Sequence, residues 1–312
     1  MRIAVTGASG FVGGQIALAL AADGHDVHAY GQRARAALVC DLPNYASWNL
    51  LAGPVARPRV DVVVHCAALV GDWGPEARYR SVNVDGTRTV LESFGSKTRV
   101  VMVSTSSVYS DQVPKSNIRE DAHVGACSYS AYGRTKAQAE ALALSLRPDA
   151  LILRPHIVYG PGDTTLLPRV LAARRFGMLA VPGTGHNRLS VTHVRNLADA
   201  VALAIRHEDA SGAFNVTDGE TTSLDELLRV LLARAGAPTR IVYIPRSIAW
   251  RVAAALESVW PSDRVPRGPL LTRFVVAQLA DEHTLDISRA RAILEYAPRF
   301  SYRTDAYAPG AQ

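Results

Sequence analysis

Residues 129–136 read YSAYGRTK and place two tyrosines ahead of a lysine. A phenol with its ordinary pKa of about 10 is a poor acid or base at neutral pH unless a neighbouring cation favours the phenolate. In a helix, residues four apart share one face. Tyr132 then stands beside Lys136, whereas Tyr129 stands beside Gly133. Tyr132 is therefore the candidate general acid/base and Lys136 its cation. Spacing alone leaves open that both tyrosines pack a helix start and that the lysine is solvated, because such pairs are common.

A second chemical signal lies at residues 6–13, TGASGFVG, where Gly7, Gly10 and Gly13 separate a short β-rich run from a stretch of apolar residues at helical spacing. Glycines permit a tight turn and let backbone N–H groups approach a pyrophosphate at the positive end of the following helix. The spacing is G-x-x-G-x-x-G, not the common G-x-G-x-x-G. Its position between strand and helix predicts dinucleotide binding. The next strand ends AYGQRAR, with Gln32, Arg33 and Arg35 and no acid. An acid there would hold the ribose hydroxyls of NAD, and an arginine accommodates the 2′-phosphate of NADP. NADP is the preferred cofactor on this pattern and NAD the alternative, with Arg33 and Arg35 then solvated. Asp41 is a candidate for the adenine-side wall.

These residues need a scaffold. Strands are predicted at 2–6, 26–30, 61–66, 99–104 and 150–154, with helices at 11–22, 76–95 and 130–146 between them. Near-continuous apolar strands alternating with helices suit a parallel sheet covered on both faces. The fold class is α/β, a doubly wound parallel sheet of Rossmann type with a second, smaller C-terminal substrate lobe. Residues 1–154 form the dinucleotide domain, with segments near 189–235 returning to it, and 155–312 mainly form the lobe. The apolar stretch around Ile248, Trp250, Val252, Leu256, Val259 and Trp260, with Leu270, Phe274 and Val275 beyond, is read as a pocket lining, or else as lobe core or a dimer contact.

Composition excludes several classes. The chain has 312 residues, 48% hydrophobic and 20% charged, which is globular and not disordered. The net charge of +6 comes from 34 basic residues scattered among 28 acids, without the basic block expected for nucleic-acid binding. The stretch at 247–260 is broken by Arg251 and Glu257 and is shorter than a membrane span. No export signal precedes the first strand, so a cytoplasmic location is expected. Cys40, Cys66 and Cys127 show neither metal-site nor disulfide spacing, and no metal is expected.

The glycine turn, VVVHCAAL, VNVDGT, VSTSSVYS, YGRTK and RPHIVYGPGD follow one another at compatible distances from Met1 to about residue 300. In this order they resemble the extended short-chain dehydrogenase/reductase superfamily, the NAD-dependent epimerase/dehydratase group. LVGDWGPEARYRSVNVDGTRTVLE and the C-terminal LTRFVVAQLADEHTLDISRARAILEYAPRFSY look most like its 3β-hydroxysteroid dehydrogenase-like branch, which includes bacterial β-keto acid reductases. The resemblance implies Tyr132 as general acid/base and Lys136 as the residue that binds the nicotinamide ribose and lowers the tyrosine pKa. It implies a substrate-binding hydroxyl at Thr105, with Ser104 and Ser106 as alternates, and Asn83 as organiser of a proton-relay water or, otherwise, a helix residue satisfying backbone. Around the cofactor it implies Ser9, Phe11 and Val12 beside the glycines, then Leu42 near Asp41. Cys66, Ala67 and Ala68 would follow the third strand. Ser104, Pro155, Ile157 and Val158 would lie near the nicotinamide. His156 could touch substrate or be structural. The chain departs from the family at THVRNLADA, where Arg195 and Asn196 replace the usual acids.

The expected activity is interconversion of a carbonyl and a secondary alcohol on a small, mainly apolar substrate, in a homodimer. A nucleotide-sugar epimerase or dehydratase with retained cofactor is the alternative. A cofactor-sensing regulator without catalysis is disfavoured by the intact Tyr132 and Lys136.

Overall fold

In the computed structural model, residues 1–33, 42–111, 115–126, 129–261 and 268–304 are described. Arg35, Cys40, Asp41 and Cys127 lie outside them. The chain opens with β1 (Arg2–Thr6), α1 (Phe11–Ala22), β2 (Asp26–Gly31), β3 (Asn44–Ser47) and β4 (Val62–His65). One long helical stretch follows, made of α2 (Glu76–Arg80), a π-helical turn at Ser81–Asp85 and α3 (Gly86–Ser93). Next come β5 (Arg99–Val103), α4 (Ala131–Leu146) and β6 (Leu151–Pro155). The second half contains β7 (Val158–Tyr159), α5 (Leu166–Ala173), β8 (Met178–Pro182), β9 (Arg188–Ser190), β10 (Thr192–His193), α6 (Val194–Arg206) and β11 (Gly212–Val216). It ends with β12 (Thr221–Ser223), α7 (Leu224–Arg234), β13 (Arg240–Ile244), α8 (Arg246–Val259), α9 (Arg273–Ala280) and α10 (Ser288–Leu294).

The central sheet has seven parallel strands in the order β11-β6-β5-β4-β1-β2-β3. Alternation along each strand assigns side chains to the two faces. Ile3, Val5, Val62, Val64, Val101, Val103, Leu151 and Leu153 join the core under α1, α6 and α10. Their neighbours Ala4 and Val63 meet Trp48, Val90 and Phe94 on the other face, while Val100, Met102 and Ile152 meet Ala139 and Ala143 of α4. Apolar residues in successive positions are thus used on both sides, as in a doubly wound sheet. The order reverses at β1, which lies between β2 and β4, so the loops after β1 and β4 diverge and open a crevice at the carboxyl edge.

The returning segment is α6 and β11, narrower than the expected 189–235. Leu224, Leu228 and Leu232 of α7 instead pack with Leu179, Val181 and Leu189 in the second lobe. The C-terminal Ala290, Leu294 and Tyr296 return to the main core. The lobe is small and built from two-stranded pairings, β8 with β13 and β9 with β12, plus α7, α8 and α9. Among the described residues no helix is long and apolar enough to cross a membrane.

Candidate active site

Gly7 adopts φ +73°, a left-handed conformation that side-chain-bearing residues rarely take. A Cβ there would lie 2.7 Å from the Ala67 backbone nitrogen, and one at Gly13 would lie 2.4 Å from the Gly7 carbonyl oxygen. Turn, α1 and the Cys66–Ala68 segment after β4 are therefore packed backbone to backbone. The N-cap of α1 is Gly10; no side chain caps its first amides, and no acid occupies its first turn. Uncapped amides at the positive end of a helix fit a phosphate, so the residues present fit a dinucleotide.

The rest of the expected cofactor set surrounds this turn. Phe11 is buried and Val12 partly buried against the core. Ser9 Oγ accepts from the Gln32 amide at 3.2 Å, and the carbonyl of exposed Arg33 accepts from the Tyr45 hydroxyl at 2.7 Å. Leu42 and Cys66 pack partly buried against the main core. Burial pushes the Cys66 thiol up to about 12, with the charge of Lys136 opposing it. Ala67 donates its amide to Thr6 Oγ1, which is also hydrogen-bonded to His65 Nδ1 at 2.8 Å.

The helix prediction at 130–146 holds within one residue, and its start is set by Ser130, whose hydroxyl accepts from the Gly133 amide. The Thr105 hydroxyl is close enough to Tyr132, in the first turn of α4, to influence its phenol, while it accepts from the Ser107 amide at 3.2 Å and donates to Ser107 Oγ at 3.3 Å. Thr105 follows β5 in an extended conformation, φ −162° and ψ 151°. Alternation explains which hydroxyl of the STSS run reaches the tyrosine. Ser106 points elsewhere, to His156 Nδ1 at 2.7 Å, and Ser104 is buried with its Oγ unpartnered among the described residues.

Lys136 is buried and donates to the Val103 carbonyl at 2.9 Å. Burial pulls its pKa down to about 8, opposed by Glu140 one turn on and by Cys66. Glu140 is itself paired with Arg154 at 2.6 Å, both buried. Tyr132 is pushed up to about 12, by burial first, then lowered by the Thr105 hydroxyl and raised by nearby Tyr79. Burial is the largest of these influences on the phenol.

Asn83 lies in the π-helical turn with its amide fully used. Its Oδ1 accepts from the Leu69 amide at 2.7 Å, and its Nδ2 donates to the Leu69 carbonyl at 3.2 Å and to Thr135 Oγ1 at 3.1 Å. It clamps the start of the 69–75 loop to α4. That loop reaches the second lobe through Asp72–Arg169 at 2.7 Å and Trp73 Nε1 to the Pro261 carbonyl at 3.4 Å. Tyr79 donates to the Trp73 carbonyl. The reading of the sequence missed Tyr79, although it lies one helical turn before Asn83.

Pro155 ends β6, and Ile157 adopts φ +41°, a rare conformation for a β-branched residue that costs about 1–2 kcal/mol. The Ile157 side chain is held between two lobe clusters, and Val158 packs on the main core. His156 is buried, stacked on His283 at 4.0 Å and depressed to about 3 by burial and then by Lys115. Its Nδ1 is used by Ser106, and its buried Nε2 has no partner among the described residues. Asn196 holds the Arg299 and Phe300 amides and Asp218, while Arg195 lies over the Phe300 ring. These departures from the family fasten the C-terminal segment.

The expected apolar pocket wall is also corrected. α8 turns the small Ala249 and Ala253 inward against Val276, leaving Ile248 (51%), Val252 and Val259 (75%), with Leu270 beyond, exposed. Trp250 of that helix meets the tyrosine segment, edge-to-face with Tyr129 at 4.9 Å. A cavity of about 620 Å³ beside Asp218, Tyr296 and Phe300 shares no residue with the Tyr132 cluster.

Comparison with known proteins agrees with this geometry. Residues 3–217 match the family described as NAD dependent epimerase/dehydratase. The chain is 32% identical to a 2-alkyl-3-oxoalkanoate reductase of Stenotrophomonas maltophilia, over 96% of this chain and 96% of that protein. It is 31% identical to a 4-hydroxy-2-methyl-3-oxo-4-farnesyl-3,4-dihydroquinoline-1-oxide ketoreductase of Stigmatella aurantiaca, over 97% and 94%. In fold it is similar to a UDP-glucuronic acid 4-epimerase from Bacillus cereus, with a TM-score of 0.74 at 21% identity over 99% of this chain and 97% of that one. The chain belongs to the NAD dependent epimerase/dehydratase family and is an NAD(P)-dependent dehydrogenase/reductase of the extended short-chain type.

Proposed function

We propose that the protein is an NADP(H)-preferring ketoreductase acting on a β-keto carboxylate with apolar substituents. The observation that carries the reading is the placement of Thr105, just after β5 at the carboxyl edge of the sheet, close to Tyr132 in the first turn of α4, with Lys136 buried one turn on. Two neighbouring hydroxyls can donate to one carbonyl oxygen. When bound, the nicotinamide supplies a hydride to the carbonyl carbon. Tyr132 gives its proton to the oxygen as the C=O π bond opens, so one C–H and one O–H bond form. Lys136 holds the nicotinamide ribose, and Thr105 orients the carbonyl. Ser104, with its unpartnered Oγ, and the Pro155–Val158 backbone face the same cofactor end. Asn83 acts by fixing α4 to the 69–75 loop.

The NADP preference is supported by the end of β2, where Gly31, Gln32 and Arg33 offer no acid and the Arg33 side chain is exposed. Arg33→Ala should weaken NADPH binding about tenfold or more while leaving NADH nearly untouched; equal losses in a fluorescence titration would remove this assignment. The homodimer and the cytoplasmic location belong to the same proposal. The activity is tested by following NADPH absorbance with β-keto acids, steroids and sugar nucleotides. Stoichiometric NADPH consumption with a β-keto acid is expected. Inversion of a nucleotide sugar without NADPH consumption, by protein purified with its dinucleotide, would overturn it.

A further inference from the structure

The catalytic group lies three residues beyond Tyr129, an aromatic side chain 39% exposed at the boundary between the lobes. Its ring meets Trp250 edge-to-face, and the Arg273 guanidinium sits 5.7 Å from its centroid. Arg273 opens α9, and Glu257 of α8 holds it from two sides. One carboxylate oxygen accepts from the Arg273 backbone amide at 2.7 Å, and the other accepts from Nε at 2.6 Å. Neither terminal amino group of Arg273 meets a partner among the described residues, and the side chain is 43% exposed.

Its neighbours are spent differently. Arg246 is engaged through Nε and Nη2 by Asp281, and Arg134 through Nε and Nη2 by Glu76. A guanidinium fixed at Nε, with both terminal amino groups unpartnered, presents the edge that binds a carboxylate through two parallel hydrogen bonds. The faces of Tyr129 and Trp250 beside it reduce competition from water and offer an apolar wall for an alkyl chain.

We propose that Arg273 is the carboxylate anchor of the substrate site, so that the enzyme recognises a free β-keto acid in preference to its ester. The proposal rests on the ketoreductase reading above and names which end of the substrate faces the second lobe. The ketone meets Thr105 and Tyr132 while the acid group meets Arg273. Glu257 orients the guanidinium and, by sharing its charge, keeps the acid bond weak enough for product release.

The test compares a β-keto acid carrying an α-alkyl chain with its methyl ester, in wild type, Arg273→Lys, Arg273→Gln, and Arg273→Gln combined with Glu257→Gln to avoid an orphaned carboxylate. The acid-to-ester ratio of kcat/KM should fall roughly 10- to 100-fold in both Gln variants, through KM for the acid, with partial recovery in the Lys variant. An unchanged ratio, or a ratio restored by Glu257→Gln, would overturn the anchor. Calorimetric titration with the corresponding β-hydroxy acid reads the same contact without turnover. If wild type consumed no NADPH with either substrate but bound the hydroxy acid through Arg273, the ketoreductase reading would fall and the anchor would stand. Equal binding by wild type and the Gln variants would overturn the anchor whatever the turnover.

Discussion

Gly13→Ala is the sharpest test of the dinucleotide turn, because the clash it creates is with backbone. The new Cβ would lie 2.4 Å from the Gly7 oxygen, 2.6 Å from its carbonyl carbon and 3.1 Å from the Ala8 nitrogen. To regain ordinary contact, α1 and the turn must part by roughly 1 Å, and close packing leaves no slack for this without strain. The Gly10 amide, now 2.9 Å from the Gly7 oxygen, moves with it. Overpacking of this kind costs about 1–3 kcal/mol of stability. If amides of the turn hold the pyrophosphate, a comparable loss appears in cofactor binding, roughly 5- to 100-fold in Kd. Two controls separate the effects. Gly10→Ala meets only the Gly7 oxygen, at 3.3 Å, from an extended backbone, and should be milder. Gly24→Ala sits at φ +82° in open space and should cost about 1 kcal/mol of stability with no change in Kd. NADPH fluorescence titration beside thermal unfolding reads both quantities. A Gly13→Ala protein that loses stability yet binds NADPH within twofold of wild type would show that the turn does not carry the pyrophosphate.

Tyr132→Phe should lower kcat by about 10²–10⁴ while leaving the Kd for NADPH unchanged, and Tyr129→Phe should keep most activity; the reverse ranking in steady-state kinetics would mean the wrong tyrosine was chosen. His65 and His156 are each held down to about 3 by burial, and His283 well below its usual value. The unfolded chain binds protons that the native state does not, so stability is full above about pH 6.5 and is lost as pH falls toward 3. At pH 5 this amounts to roughly 2 kcal/mol for each of His65 and His156, and urea midpoints that did not fall between pH 7 and pH 5 would contradict it.

What could be read from the sequence follows from how physics writes itself into spacing. Buried parallel strands need apolar residues at every position, so β1, β2, β4, β5 and β6 stood out, and the Tyr132–Lys136 interval needed only helical geometry. β3, with residues NYAS at the sheet edge, carries no such pattern. The π-helical turn at Ser81–Asp85 is invisible inside a stretch whose apolar spacing reads as one helix. The STSS run offers four hydroxyls, Ser104 to Ser107, and their spacing alone does not say which of them approaches Tyr132. The error on α8 has a physical cause: its buried face is the small Ala249 and Ala253, whose close packing on α9 contributes little to a hydrophobic pattern, so the large apolar residues suggested the wrong side. Arg273 gave no signal at all, since its significance depends on which of its nitrogens Glu257 leaves unpartnered.

Tyr132 and Lys136 together set the pH profile expected for the reduction. Burial raises the phenol to about 12 and lowers the ammonium to about 8, so at neutral pH the tyrosine is protonated and the lysine still mostly charged. A protonated phenol is the state required to donate to a carbonyl oxygen. Raising the pH through 8 removes the lysine charge before it touches the tyrosine, because the lower of the two pKa values belongs to Lys136. Its buried neighbours oppose this only in part: Glu140 favours the ammonium but is shared with Arg154, and His65 stays neutral throughout the range. The expected profile of kcat/KM for NADPH-dependent reduction is flat near neutrality and falls above about pH 8, with Lys136→Met low and lacking that fall. A reduction rate that instead climbed between pH 8 and 10, following phenolate formation, would show that Tyr132 does not enter the reaction as the proton donor.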